Sequence, residues 1–398
     1  MIERLENIEK RYNEIMEEIT KPEVLSNIKK ATELSKEQAS LRENYEAYQE
    51  YKKVINNIAE AKELMKDPEM GEFAREEYNE NEEKRKKMEE LRKIGSKCGI
   101  AVILYVAISY GLSFLLVLIS WGFPSISALY TETNATLAFE IIVTIFAIVI
   151  PFLIIHYMMK KEKVSEVLPF GTTYDKDVAT ALVMIFIPVM ILSAIAINSV
   201  SSIFQEMLGI EFQSTVGDFS LKGAKEIFMG VLSIAVVPAI VEELVIRGIV
   251  MQPLRKYGDR FAIIVSAVLF ACMHGNMVQI PYTVVGGLLL GYLAVTTGSL
   301  WPSVILHFVN NLYSVIIIAV NDNFSENASV VATILMLVAF GVMGVIGVIR
   351  LLKLKHKMTF TEEKTLTMSE KISAFIKNGP VIVAIIMLAA ITVTNIKF

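Results

Sequence analysis

Seven residues in the later part of this 398-residue chain have the types and spacing for chemistry. Glu242, Glu243 and Arg247 stand in "VEELVIRG", Phe270 and His274 in "FACMH", and His307 and Asn311 in "HFVNN". A carboxylate and an imidazole sharing a water act as general base and then general acid. Arg247 and the histidines supply the positive charge that keeps such a carboxylate ionised away from water. A second imidazole beside an amide, as in His307 and Asn311, donates hydrogen bonds to a developing oxyanion. No Ser or Cys stands beside an obvious base, since Cys272 is two residues from His274 and points away from it on a helix. Water-mediated amide hydrolysis therefore fits better than covalent catalysis. Glu242, His274 and His307 are also a candidate Zn²⁺ set that leaves a position open for water, although no His-Glu-x-x-His stretch is present.

The elements that must position these groups read as helices in lipid. Glu243–Arg247, Phe270–His274 and His307–Asn311 are i,i+4 pairs, so each pair shares one helix face. Apolar stretches long enough to approach the roughly 20 residues of a membrane span run near 99–121, 136–158, 178–200, 225–246, 261–276, 278–297, 300–320, 329–351 and 380–395, with the fifth and the last short. At about 1.5 Å per residue, Glu242 lies roughly 18 Å from Leu254, His274 roughly 20 Å from Phe261 and His307 roughly 10 Å from Leu300. These depths overlap, so packed helices are expected to bring Glu242, His274 and His307 together. Each residue taken singly has a bland explanation: Arg247 snorkelling to headgroups, Glu243 neutralising it, a core histidine, an interhelical Asn311, a packed Phe270. Together they leave Glu242 unexplained. Pro238, one turn before Glu242, is expected to bend the helix and free a backbone carbonyl.

Basic residues set the orientation. Arg92, Lys93 and Lys97 precede the first span, Lys160, Lys161 and Lys163 follow the second, Arg255, Lys256 and Arg260 the fourth, and Arg350, Lys353, Lys355 and Lys357 the eighth. The clusters fall on one side, which predicts a cytoplasmic N-terminus and an external C-terminus in a multi-pass cell-membrane protein. No secretory signal is expected. The overall expectation is an all-α polytopic bundle of about eight to nine transmembrane helices, with a cytoplasmic helical or coiled-coil domain ahead of it.

That domain is marked by charge. Residues 1–97 hold 20 of the 38 Lys and Arg and 24 of the 42 Asp and Glu, a nearly neutral balance that predicts no direct nucleic-acid contact. Gly is rare there, and Pro22 and Pro68 mark breaks between long amphipathic helices. From about Glu6 to Tyr78, short motifs such as Lys21-Pro22-Glu23-Val24 and Asp67-Pro68-Glu69-Met70 resemble the N-terminal helical domain of bacterial class I peptide chain release factors. The Gly-Gly-Gln tripeptide those factors use for peptidyl-tRNA hydrolysis is absent. The resemblance therefore implies an interaction or spacing module, with the ribosome or another protein as its partner.

Glu242-Glu243-x-x-x-Arg247, Phe270-x-x-x-His274 and His307-x-x-x-Asn311, in this order, resemble the three motifs of the CAAX protease and bacteriocin-processing family of intramembrane endopeptidases, related to type II CAAX prenyl proteases. The stretch from Lys222 to Val320 carries the likeness. It implies that Glu242 and His274 activate a water, that Glu243 and Arg247 support the site, that His307 and Asn311 stabilise the oxyanion, and that Phe270 shapes the pocket. It leaves a metallo- and a glutamate-dependent mechanism equally open. The expected division is 1–97, the release-factor-like domain; 98–221, the first membrane helices; 222–321, the catalytic core; and 322–398, the last membrane helices. The expected substrate is a peptide or membrane-protein segment. A silent membrane scaffold or immunity protein, and a proton-coupled transporter, are the alternatives.

Overall fold

The computed structural model describes residues 2–25, 27–64, 71–123, 132–164, 166–212, 220–355 and 360–397. The motif Asp67–Met70 and His356 lie outside them. Among the described residues, the regular structure is helical apart from one pair of two-residue strands. It divides into two compact units. One holds residues 1–93 and 364–378, the other residues 94–363 and 379–398.

In the first unit, α1 (Ile2–Ile19), α2 (Pro22–Leu25) and α3 (Ile28–Leu64) form a hairpin. Its apolar seam is Ile15, Val24 and Leu34. Tyr12 stacks on Tyr45 at 4.1 Å, and Arg11 grips both carboxylate oxygens of Glu37, at 2.8 and 2.9 Å. The 52-residue α4 (Gly71–Gly122) supplies this unit up to Lys93. The excursion 364–378 joins it as well. Lys87 donates to Thr365 Oγ1 at 2.7 Å and Lys84 pairs with Glu370. Thr367 and Glu370 form a capping box that starts α12 (Met368–Ile376).

The second unit takes the rest of α4, then α5 (Thr133–Lys161), α6 (Lys176–Leu208), α7 (Ala224–Tyr257), α8 (Asp259–Met273), α9 (Gln279–Thr297), α10 (Trp301–Asn323), α11 (Glu326–Leu354) and α13 (Gly379–Thr394). Asp175 caps α6 by accepting from the Asp177 and Val178 amides. Gly209 and Gly298 end α6 and α9 in the left-handed conformation that glycine adopts without strain. Among the described residues, seven helices are long and apolar enough to cross a membrane, or eight if α12 and α13 count as one interrupted span. The nine apolar stretches read in the sequence exceed this because α8 and α13 have only 15 and 16 residues. At 1.5 Å per residue they reach about 22–24 Å, short of a core about 30 Å thick.

Small residues set the close contacts. On α9, a Cβ at Gly287 would stand 2.9 Å from the Ala267 side chain of α8, so only glycine allows this approach. Hydrogen bonds tie the helix ends together at two places. At one, Leu300 donates to the Pro169 carbonyl and Ser299 Oγ to Gly171. At the other, β1 (Glu211–Phe212) pairs with β2 (Ile396–Lys397), and Asn395 donates to the Gly275 carbonyl.

Candidate active site

The site is built on a helix that departs from α geometry twice. α7 contains π-helical turns at Val231–Val236 and Leu244–Val250, on either side of the segment Val237–Glu243. A π turn adds a residue per turn and re-aims the face that follows it. Pro238 has no N–H to give the carbonyl four residues earlier. That carbonyl, Ile234 O, accepts from Asn311 Nδ2 of α10 at 3.0 Å. At the second turn, Gln252 Nε2 donates to the Arg247 carbonyl at 2.8 Å.

Glu243 and Arg247 are fully buried and paired at 2.9 Å. Arg247 also donates to the Gly287 carbonyl at 3.2 Å, and its guanidinium lies 4.8 Å from the Phe270 ring centre. It does not snorkel. His307 Nδ1 lies 2.9 Å from the same Glu243 Oε1 that Arg247 holds. A carboxylate paired with arginine accepts, so Nδ1 carries the proton. The far nitrogen of His307, Nε2, lies 3.7 Å from Glu242 Oε2. Unlike Glu243, Glu242 is 18% exposed and opens onto a cavity of about 750 Å³.

His274 stands at the end of α8 on the same cavity. Its Nδ1 faces the Phe270 carbonyl at 2.9 Å. A carbonyl only accepts, so Nδ1 bears hydrogen and Nε2 presents a lone pair. Phe270 packs edge-on against both imidazoles, with ring centres 4.8 Å from His274 and 6.0 Å from His307. Thus Glu242, Phe270, His274, His307 and Asn311 share one cavity wall, and Glu243 and Arg247 stand behind it.

Comparison with known proteins finds two separate family matches. Residues 224–313 match the type II CAAX prenyl endopeptidase Rce1-like family. Residues 8–95 match the PCRF domain. Over 96 residues the chain is 43% identical to peptide chain release factor 1 of Streptococcus agalactiae serotype V, and 42% identical to that of Streptococcus pyogenes serotype M5. Each match covers 23% of this chain and 27% of the release factor, so the chain spans about a quarter of the curated relatives' length. No solved structure matches it. The chain is a multi-pass membrane protein with an Rce1-like domain in its membrane helices and a PCRF domain in its N-terminal helices. The PCRF match reaches 17 residues beyond Tyr78, where the likeness read from the sequence stops.

The Rce1-like domain contains all seven residues singled out in the sequence. Among the described residues, however, no three His, Cys, Asp or Glu side chains are grouped to hold a metal ion. In the set Glu242, His274 and His307, both Nδ1 atoms are committed to other partners, and the nearest Glu242–His307 approach is 3.7 Å. Those Nδ1 atoms face the Phe270 carbonyl and Glu243, which leaves both Nε2 atoms as the nitrogens that a Zn²⁺ would take. Cys98 and Cys272 are free thiols.

The structure adds groups that the sequence did not single out. Glu140 and Ser233 line the same cavity, with Glu140 Oε2 3.4 Å from Ser233 Oγ. Tyr105 donates to the Met273 carbonyl at 3.3 Å, steadying the turn that carries His274. Asn310 donates to Asn311 Oδ1 at 3.2 Å and orients that amide. A lone carboxylate in an apolar helix was the available signal for Glu140. Tyr105 and Asn310 carried none beyond being polar in a span.

Proposed function

We propose that this protein is an intramembrane endopeptidase that hydrolyses a peptide bond with an activated water. The observation that carries the reading is the sharing of His307 between Glu243 and Glu242, with Glu242 alone opening to the cavity. The water stands between the Glu242 carboxylate and the His274 Nε2 lone pair. Glu242 takes its proton as hydroxide attacks the carbonyl carbon. The oxyanion that forms receives hydrogen bonds from His307 Nε2 and from the second N–H of Asn311 Nδ2. With Nδ1–H given to Glu243, His307 offers an Nε2–H only as imidazolium, and the two carboxylates beside it supply the balancing charge. Glu242 then passes its proton to the leaving amine, and the C–N bond breaks. Glu243 and Arg247 touch no substrate. They fix the rotamer of His307, and Phe270 packs the two imidazoles.

The N-terminus lies in the cytoplasm, as the basic clusters favour, and the PCRF domain brings the enzyme to a protein partner, with the ribosome the first to test. Co-sedimentation of the full-length protein in micelles with ribosomes is expected, and its absence would remove that partner. The central test is cleavage of quenched fluorescent peptides by purified protein. Glu242→Gln is expected to lower kcat by about 10³-fold or more, and His274→Gln by about 10²–10⁴-fold, the range of acid–base catalysis. Both variants should keep the wild-type melting temperature. Full activity in Glu242→Gln would sink the reading.

A further inference from the structure

We propose that Glu140 is a subsite for a positively charged group of the substrate, either a Lys or Arg side chain or the free amino terminus of a peptide. The proposal rests on the endopeptidase reading above. Glu140 lies on α5, outside residues 224–313, and the hydrolytic steps do not use it.

Three observations converge on it. First, Glu140 is half-buried in a spanning helix, where a carboxylate is costly unless it faces a polar space, and it faces the catalytic cavity. Secondly, its hydrogen bond to Ser233 is 3.4 Å, long for an ionised acceptor. Ser233 is itself only 5% exposed, so this polar pair is built into the wall rather than left at a surface. Thirdly, no Lys or Arg is among the described residues lining the cavity. Arg247, the guanidinium nearest the chemistry, is sealed behind Glu243. The charged groups that open into the space are Glu140, Glu242 and the His307 imidazolium, a balance of one negative charge. In a low-dielectric cavity such a pattern attracts a cationic group and repels an anionic one.

The helix also gives a register. Ser233, which marks the position of Glu140 on α7, precedes Glu242 by nine residues, roughly 13 Å along the axis. An extended peptide covers that in about four residues. The cationic group therefore belongs three to five residues from the scissile bond, on one side of it only.

The test uses full-length protein in nanodiscs and quenched fluorescent decapeptides. One position at a time is set to Lys, Arg, norleucine or Glu, each with a free or an acetylated N-terminus. Wild type is expected to cleave Lys or Arg peptides about tenfold better than norleucine peptides at one position, judged by kcat/KM. This is the scale of one charge-assisted hydrogen bond. If the amino terminus is the recognised group, acetylation removes the preference and the side-chain scan is flat. Glu140→Gln is expected to bring the ratio to about one, and Glu140→Lys to invert it in favour of Glu. A preference retained in Glu140→Gln, or no charge preference at any position or terminus in wild type, overturns the proposal. Binding of the same peptides, labelled with fluorescein, to the Glu242→Gln protein separates the two readings. A charge preference in binding that Glu140→Gln abolishes upholds the subsite even where nothing is cleaved. Binding without preference removes the subsite whether or not cleavage occurs.

Discussion

The side-chain amide of Asn311 donates to the Ile234 carbonyl, the oxygen that Pro238 leaves without its helical partner. This bond links α10 to the irregular part of α7 about two turns before Glu242. Asn311 therefore has a structural duty beside any contact with substrate, and the two can be separated. In the wild-type background, Asn311→Ala takes the side-chain donor from that carbonyl, which costs about 1–2 kcal/mol. In a Pro238→Ala background the residue at 238 can bond Ile234 itself. The cost of Asn311→Ala should then fall well below about 1 kcal/mol, while its loss of peptidase activity remains. A double-mutant cycle of thermal unfolding in detergent, run beside the cleavage assay, checks both halves. Equal stability costs in the two backgrounds would refute the structural duty.

Arg247 and Glu243 are both without exposure to solvent, and their bonding is incomplete. Among the described residues, Glu243 Oε2 and Arg247 Nε have no hydrogen-bond partner. Removing one member leaves the other charge buried, at about 3–5 kcal/mol. Arg247→Met and Glu243→Met should each lower the melting temperature sharply. The double variant should recover part of the loss, because two apolar chains replace an imperfect ion pair. Its activity should stay low, since His307 has lost the carboxylate that orients it. Additive destabilisation in the double variant would contradict this account.

The helical fold, and the candidates Glu242, Glu243, Arg247, His274 and His307 that the structure brings to one region, could be picked out in the sequence for one physical reason. Ionisable groups stand out against lipid, and i,i+4 spacing puts Glu243 on Arg247 and Phe270 beside His274 whatever the tertiary packing. Geometry that depends on distant partners could not be read. The π turns at Val231–Val236 and Leu244–Val250 leave no mark in residue type, although Pro238 signalled that the helix would yield nearby. Thr367-x-x-Glu370 is a capping box visible in the sequence, yet its attachment to Lys84 joins residues far apart in the chain. Glu140 met the same criterion as Glu242. It lacked only a neighbour at helical spacing, because its partner Ser233 lies on another helix.

Gly287 performs two tasks that a side chain would separate. Its missing Cβ lets α9 approach Ala267 of α8, and its carbonyl accepts from Arg247. In Gly287→Ala the two methyl groups would stand about 2.9 Å apart, so the helices must part. Overpacking of this kind costs about 1–3 kcal/mol. The displaced carbonyl also withdraws a hydrogen bond from the guanidinium. Gly287→Ala should thus lose more activity than Gly298→Ala. At Gly298 a Cβ meets open space and only the left-handed φ is strained, far from the ion pair. Comparing cleavage rates at matched folded fractions makes the test. Similar losses in the two variants would remove the argument.

In the first unit, the pH response has a defined sign. The hydrogen bonds from Arg11 hold the Glu37 carboxyl below its ordinary value of 4.5. A carboxylate with a depressed folded-state pKa contributes stability above its unfolded value, and loses it as pH falls through the folded one. The Arg11–Glu37 clamp is therefore intact at neutral pH and opens only below about pH 4.5. Both side chains are partly exposed, so salt should weaken the effect and its size will be modest. Hydrogen exchange of α1 in the full-length protein, corrected for intrinsic rates, should show protection falling on acidification below that pH. In Glu37→Gln, protection at neutral pH should already be lower, and the acid-dependent loss should shrink. Equal acid responses in wild type and Glu37→Gln would show that another carboxylate controls α1.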